Sequence, residues 1–239
     1  MKKKDDTLEI KNTIKVGTQL DFASREAFKL LRTNISFAFP DEEKGRVVGI
    51  CSSCPQEGKS TTSVNLAYSL AEANNKVLLI DGDMRRPSIC NIVGVDMEPG
   101  LSDLLSGKAG VDVAHGVLNK NMDVLASGRI PPNPSELIGS RRMETLLGEY
   151  RKQYDYILID LPPVLSVSDP VAVSKYLGGM IIVVRHEKTG RRELSETIRQ
   201  LEYANVKILG FIYNRISSRS GKNNAKYNKY NKYNYESKK

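Results

Sequence analysis

Six short apolar runs punctuate the chain, at residues 47–51, 77–80, 123–126, 156–160, 179–184 and 208–213. Each has the length of a buried strand. Between most of them the apolar residues recur at three- and four-residue spacing, near 60–73, 135–152, 169–176 and 191–204. That period predicts helices. Strands alternating with helices predict an α/β domain with a doubly wound, mostly parallel sheet covered on both faces. Upstream, Ala27, Leu30, Leu31 and Ile35 share a helical spacing within Phe22–Phe39, and Pro40 ends the pattern. Residues 1–20 are polar and read as an arm. The loop 128–134 is dense in proline and reads as a rigid connection. From residue 217 aliphatic side chains become scarce, so 217–239 is expected to be a disordered tail. The folded domain is thus expected over 21–216.

The chemistry is concentrated in the first two runs. Val47-Val48-Gly49-Ile50 leads into a loop, Pro55-Gln56-Glu57, that closes on Gly58-Lys59-Ser60-Thr61 before a helical pattern. A glycine without a side chain lets backbone N–H groups turn inward at a helix N-terminus and form an anion nest. Lys59 is then expected to reach the β- and γ-phosphates of a nucleotide, ATP or GTP, and the Ser60 hydroxyl to bind Mg²⁺. The strict pattern GxxxxGK[ST] wants glycine at position 53, where this chain has Ser53. The flanking strand and helix restore the assignment. The second run stops at Asp81-Gly82-Asp83, and the fourth at Asp160. Carboxylates just past such strands lie at the ligand edge of an open α/β sheet. An isolated acid there reads equally well as a helix cap. Beside a phosphate loop, these acids are candidates for the magnesium shell or for handling a proton. The run ending in Asp160 resembles a Walker B strand.

Composition narrows the class. With 239 residues and 40% hydrophobic content, the chain has room for one α/β domain of about 200 residues. No apolar run approaches the roughly 18 residues of a membrane span, and Met1-Lys2-Lys3-Lys4 does not open a signal peptide. A cytosolic chain is expected. Cys51, Cys54 and Cys90 form no disulfide framework. Cys51 and Cys54 have redox or zinc spacing, but they lie within the phosphate loop and are expected to pack it. Of the net charge of +8, the segment 217–239 carries +6, with seven Lys or Arg against Glu236, which leaves +2 for the rest. A general nucleic-acid surface is therefore not expected.

That tail repeats Lys-Tyr-Asn three times, placing Tyr227, Tyr230, Tyr233 and then Tyr235 within nine residues. Basic residues interleaved with aromatics suit an RNA-binding or self-associating tail. They equally suit a string of phosphate acceptors, since each phosphate adds about −1.5 to −2 charges and four could reverse the tail's charge.

Taken together, residues 20–239 resemble the bacterial tyrosine kinases of Gram-positive capsule and exopolysaccharide systems. CPQEGKST resembles that family's Walker A, LLIDGDMRRP its Walker A′, ILIDLPPV its Walker B, and Ser127–Leu137 (SGRIPPNPSEL) a further family stretch, with the tyrosine tail beside them. The resemblance implies ATP and Mg²⁺ as cofactors. It implies Asp83 and Asp160 in the magnesium shell with Ser60, and Asp81, counted with them, as the group that orients or deprotonates the tyrosine hydroxyl. It further implies Lys59 and Arg85 as positive charge at the reacting phosphoryl group, and Asn214 as an adenine contact. Glu26, Lys29 and Arg32 occupy the family's ExxRxxR oligomerisation motif, with lysine in place of the middle arginine. Lysine keeps the charge and loses the bidentate fork. The implied assembly is a ring, an octamer among its candidate sizes, in which each subunit offers its tail to a neighbour. Implied partners are a separate transmembrane adaptor with an activating cytoplasmic tail, a cognate tyrosine phosphatase and other tyrosine-bearing proteins. They would bring the kinase to the inner face of the membrane. The competing reading is a ParA- or MinD-like positioning ATPase. Those proteins carry a lysine early in the loop, KGGxGK[ST], where this chain has Cys54, and they lack a tyrosine tail.

Overall fold

The structure, a computed structural model, describes residues 14–39 and 44–215. The four tail tyrosines, and with them the expected tail, lie outside the described residues. Six strands form one sheet: β1 (Arg46–Ser52), β2 (Val77–Asp81), β3 (Met122–Leu125), β4 (Tyr156–Asp160), β5 (Gly179–Arg185) and β6 (Ile208–Asn214). Their order is β3-β2-β4-β1-β5-β6, and every pairing is parallel. The register sets Asp81 directly opposite Asp160 and brings Ile50 of β1 alongside the same aspartate.

Alternation along the strands divides the apolar residues between two cores. Val47, Leu78, Ile80, Ile157, Ile159, Met180 and Ile182 face one layer of helices, and Val48, Leu79, Leu158, Ile181 and Val183 face the other. The first layer comprises α5 (Pro134–Ile138), α6 (Arg141–Tyr150), α7 (Asp169–Ser174) and α8 (Arg191–Tyr203). The second is dominated by α1 (Phe22–Phe37) and α2 (Lys59–Glu72). Leu66 and Leu70 of α2 are fully buried, each worth about 1.5–3 kcal/mol of transfer free energy. Two short helices that periodicity does not reveal, α3 (Ile89–Val93) and α4 (Leu101–Leu105), follow β2. Five residues are too few for a 3.6-residue period to show.

Two boundaries differ from expectation. The single helix expected over 135–152 is two, α5 and α6, separated at Gly139-Ser140. Ser140 caps α6 by accepting a hydrogen bond from Met143 N, which starts a new helix rather than continuing the old one. The start of the domain also shifts. Residues expected in the arm pack on α2, with Val16 buried and the Gly17 amide donating 2.9 Å to Asn65 Oδ1.

In α1, Lys29 pairs with Glu26 at 2.8 Å on the exposed surface. Arg32 instead reaches across to donate 2.6 Å to the Ser69 carbonyl of α2. One of the three expected oligomerisation residues thus ties α1 to its own domain.

Candidate active site

The phosphate loop is shaped by two left-handed residues, Gln56 at φ 63° and Gly58 at φ 92°. Glycine suits that region without strain, and a bulkier residue there needs outside support. Gln56 has it: Arg185 Nη1 and Lys188 Nζ each donate 2.8 Å to the carbonyls of Gln56 and Pro55. Glu57 is fully buried, and its carboxylate accepts from Cys54 N at 3.0 Å and from the Thr189 hydroxyl. Its side chain braces the loop from within. A Cβ on Gly58 would collide with Asn214 Nδ2 and displace that brace, so glycine suits the site on space as well as on φ. Asn214 donates 3.0 Å to Glu57 O and accepts from Arg215 N. Its Nδ2 end holds the loop, and its Oδ1 end is engaged by the neighbouring Arg215 amide.

Ser53 explains the departure from the strict motif. Its backbone is not left-handed, and its buried hydroxyl accepts 2.9 Å from Thr197 Oγ1 of α8. A side chain at this position is an anchor. Cys51 and Cys54 are free thiols, as is Cys90. Burial raises the Cys51 thiol far above its ordinary range, so it packs rather than reacts.

At the entrance of α2 no side chain caps the helix, so its first N–H groups remain available to an anion. Lys59, Ser60 and Thr61 line a cavity of about 720 Å³, within the usual range for a ligand site. Lys59 Nζ lies 2.9 Å from Asp83 Oδ2 and 3.5 Å from Asp160 Oδ2. Burial acts against its charge, but Asp160 and Asp83 outweigh it and hold its pKa above the ordinary lysine value. The Ser60 hydroxyl donates 2.6 Å to Asp160 Oδ2, and Ser63 donates 3.0 Å to the other oxygen. Ser63 escaped the sequence reading although its three-residue offset from Ser60 puts both hydroxyls on one helical face. Burial raises the Asp160 carboxyl, and the Lys59 charge pulls it part of the way back.

Asp81 and Asp83 part company. Gly82 permits this: its amide donates 2.9 Å to Asp160 O, and a Cβ there would meet Ile159 at 2.8 Å. Asp83 lines the cavity. Asp81 is fully buried below it, with Oδ2 accepting 3.0 Å bonds from the amides of Ser88 and Ile89. Its Oδ1 has no hydrogen-bond partner among the described residues. Burial first, then the Asp160 charge, raise its pKa from 3.8 to about 7. An orphaned acceptor with a pKa near neutrality is suited to take a proton.

Arg85 reaches the rim of the cavity but is not free there. Nε and Nη2 make a bidentate pair with Asp169 at 2.9 and 3.0 Å, and Nη2 also donates 3.1 Å to Ser135 Oγ. Neither Asp169 nor Ser135 is apparent from sequence, since Asp169-Pro170 reads as an ordinary helix start.

The oxygen donors suit a hard cation. Among the described residues no three His, Cys, Asp or Glu side chains form a self-sufficient metal cage. A magnesium ion carried by a nucleotide needs none, because it takes phosphate oxygens and waters beside one or two carboxylates. Ser60, Asp83 and Asp160 are the residues that would hold it. No helix among the described residues is long and apolar enough to cross a membrane.

Comparison with known proteins gives this geometry its relatives. The family model described as "AAA domain" matches residues 46–209. Tyrosine-protein kinase YwqD of Bacillus subtilis (strain 168) is 38% identical over 190 residues, 79% of this chain and 80% of that protein. Tyrosine-protein kinase etk of Escherichia coli (strain K12) is 37% identical over 196 residues, 82% of this chain. The chain spans 26–27% of the length of etk and similar longer kinases. The solved kinase domain of Escherichia coli ETK superposes with a TM-score of 0.78 at 36% identity, covering 83% of this chain and 78% of that one.

Proposed function

Because the chain belongs to the bacterial tyrosine-protein kinases, we propose that it transfers the γ-phosphoryl group of ATP to tyrosine hydroxyls, its own Tyr227, Tyr230, Tyr233 and Tyr235 among them. The observation that carries this reading is the meeting of Lys59, Ser60, Asp83 and Asp160 at one strand edge, with the orphaned Asp81 oxygen beneath. Phosphoryl transfer needs positioning and charge stabilisation more than covalent chemistry from the protein. The first turn of α2 and residues 55–58 hold the phosphates, and Lys59 offsets charge on the group in transfer. When bound, Mg²⁺ supplies further charge neutralisation on the phosphates. Asp81 accepts the phenolic proton. A tyrosine with a pKa of about 10 is mostly un-ionised near neutrality and needs such a base. Asn214 bears on nucleotide binding through the loop that it braces, beside any contact with adenine.

The finer reading extends to assembly. Acceptors come from neighbouring subunits in a ring joined through Glu26 and Lys29, with Arg32 anchoring the helix that presents them. Phosphorylation reverses the tail charge and loosens the ring. A membrane adaptor stimulates the kinase, a phosphatase resets it, and the cycle regulates exopolysaccharide or capsule synthesis.

The test is a mass spectrum and a radiolabelled-ATP assay on the purified chain. Stepwise phosphate on the tail is expected, and a Lys59→Met chain should acquire label only in trans from a tailless active chain. ATP hydrolysis without any phosphotyrosine would favour the positioning-ATPase reading instead.

A further inference from the structure

Segment Ser127–Leu137 carries Pro131, Pro132 and Pro134, and of its residues only Ser135 has entered the site described so far, at Arg85. Its beginning is fixed. The Ser102 hydroxyl donates 2.6 Å to Arg129 O, and Gly128 N donates 3.0 Å to Met97 O. Its end carries Ser135 to the Arg85–Asp169 pair. There the Ser135 hydroxyl donates to Asp169 Oδ1, accepts from Arg85 Nη2, and lies 3.1 Å from Ser168 Oγ. Asp169 is completely buried, whereas the Arg85 side chain keeps 39% of its surface exposed.

This asymmetry needs a reason. A carboxylate taken out of water costs several kcal/mol, and a well-packed apolar replacement of a buried ion pair is often no less stable. Helix packing alone therefore does not call for Asp169. What the charge does supply is direction. A bidentate pair fixes the plane of a guanidinium in a way that a single contact cannot. With Nε and Nη2 occupied, Nη1 has no hydrogen-bond partner among the described residues, at a residue that lines the cavity beside Asp83.

We infer that Asp169 and Ser135 are positioning residues that aim Arg85 Nη1 at the phosphoryl group in transfer, and that the proline-dense segment exists to deliver Ser135 to this clamp. The inference rests on the kinase reading and adds two residues to it. Neither touches the nucleotide; both act through Arg85. The interaction is strongest when charge develops in transfer, so the loss appears in turnover and not in nucleotide affinity.

The experiment compares Asp169→Asn, Ser135→Ala, Arg85→Gln and the double variant Asp169→Asn/Arg85→Gln in the full chain. It reads single-turnover tyrosine phosphorylation, affinity for a fluorescent ADP, and thermal unfolding. Turnover is expected to fall about tenfold in Asp169→Asn and in Arg85→Gln, and less in Ser135→Ala, with ADP affinity changed less than about twofold. The double variant should be no slower than Arg85→Gln alone, because Asp169 acts only through that residue. Penalties that add would overturn the inference, as would loss of ADP affinity in parallel with turnover. Should Asp169→Asn not fold, Ser135→Ala against Arg85→Gln/Ser135→Ala supplies the same cycle. If the parent chain labels no tyrosine, the kinase reading fails, and steady-state ATP hydrolysis by the same variants then decides the clamp.

Discussion

Replacing Asp81 by asparagine should stabilise the nucleotide-free protein in alkali and not in acid. In the fold Asp81 is buried beside Asp160, and its pKa rises from 3.8 to about 7. Folding therefore favours the protonated carboxyl. Between those two values the native state binds the proton that the unfolded chain has released, so stability falls as pH rises through this window. At about 1.36 kcal/mol for each tenfold change in proton affinity, the full penalty above neutrality is about 4 kcal/mol. The asparagine side chain would carry no charge, and its oxygen could still accept from the amides of Ser88 and Ile89. Its NH₂ group would replace the orphaned Oδ1 and find no partner either, which costs about 1–3 kcal/mol. The net gain expected near pH 8 is about 1–3 kcal/mol, and near pH 5 the same substitution should be neutral to destabilising. Calorimetric unfolding in chelator, without nucleotide, at these two pH values measures the difference. An equal change in Tm at both would refute the burial argument. So would a variant less stable than the parent in alkali. Tyrosine phosphorylation by the same variant should be lost, since the group that weakens the fold is the proposed proton acceptor.

Other outcomes follow from the loop and its braces. Lys59→Met leaves Asp83 and Asp160 without their shared cation, and phosphotransfer measured with radiolabelled ATP should drop at least about a hundredfold. Gly58→Ala forces a side chain to φ 92° and against Asn214; titration with a fluorescent ADP should show binding lost, while Gly148→Ala in α6, which has open space around it and no left-handed backbone, keeps it. Ser53→Gly restores the strict motif yet removes the bond from Thr197. Urea unfolding should show a loss of about 1 kcal/mol with turnover unchanged, against the expectation that the consensus glycine improves the loop.

The strands and main helices were legible because burial on both faces of a parallel sheet leaves unbroken apolar runs, and helices on its flanks leave a 3.6-residue period. The phosphate loop was legible because Gly58, Lys59 and Ser60 are adjacent in the chain, so their chemistry is local. The same locality misled at 135–152, where apolar spacing ran across Gly139-Ser140 and concealed a cap. It said nothing of α3 and α4, which are too short to show a period and are held by packing Ile89 and Leu101 with Leu105 into the two cores.

Asp81 and Asp83 mark the line between the two kinds of information. Sequence alone determined that two carboxylates end the second strand beside a nucleotide loop, and that a third ends the fourth strand. Their local pattern did not tell them apart, since two residues separated by one glycine carry the same local signal; only the family resemblance gave them different roles. The tertiary structure separated them by placing β4 next to β2, so that Asp81 faces Asp160 in the sheet interior while Asp83 opens to the cavity. It also decided that Arg85 is clamped by Asp169, 84 positions away. Solvation and charge pairing depend on what lies around a group in space, and chain contacts of that range leave no period or motif by which a sequence could announce them.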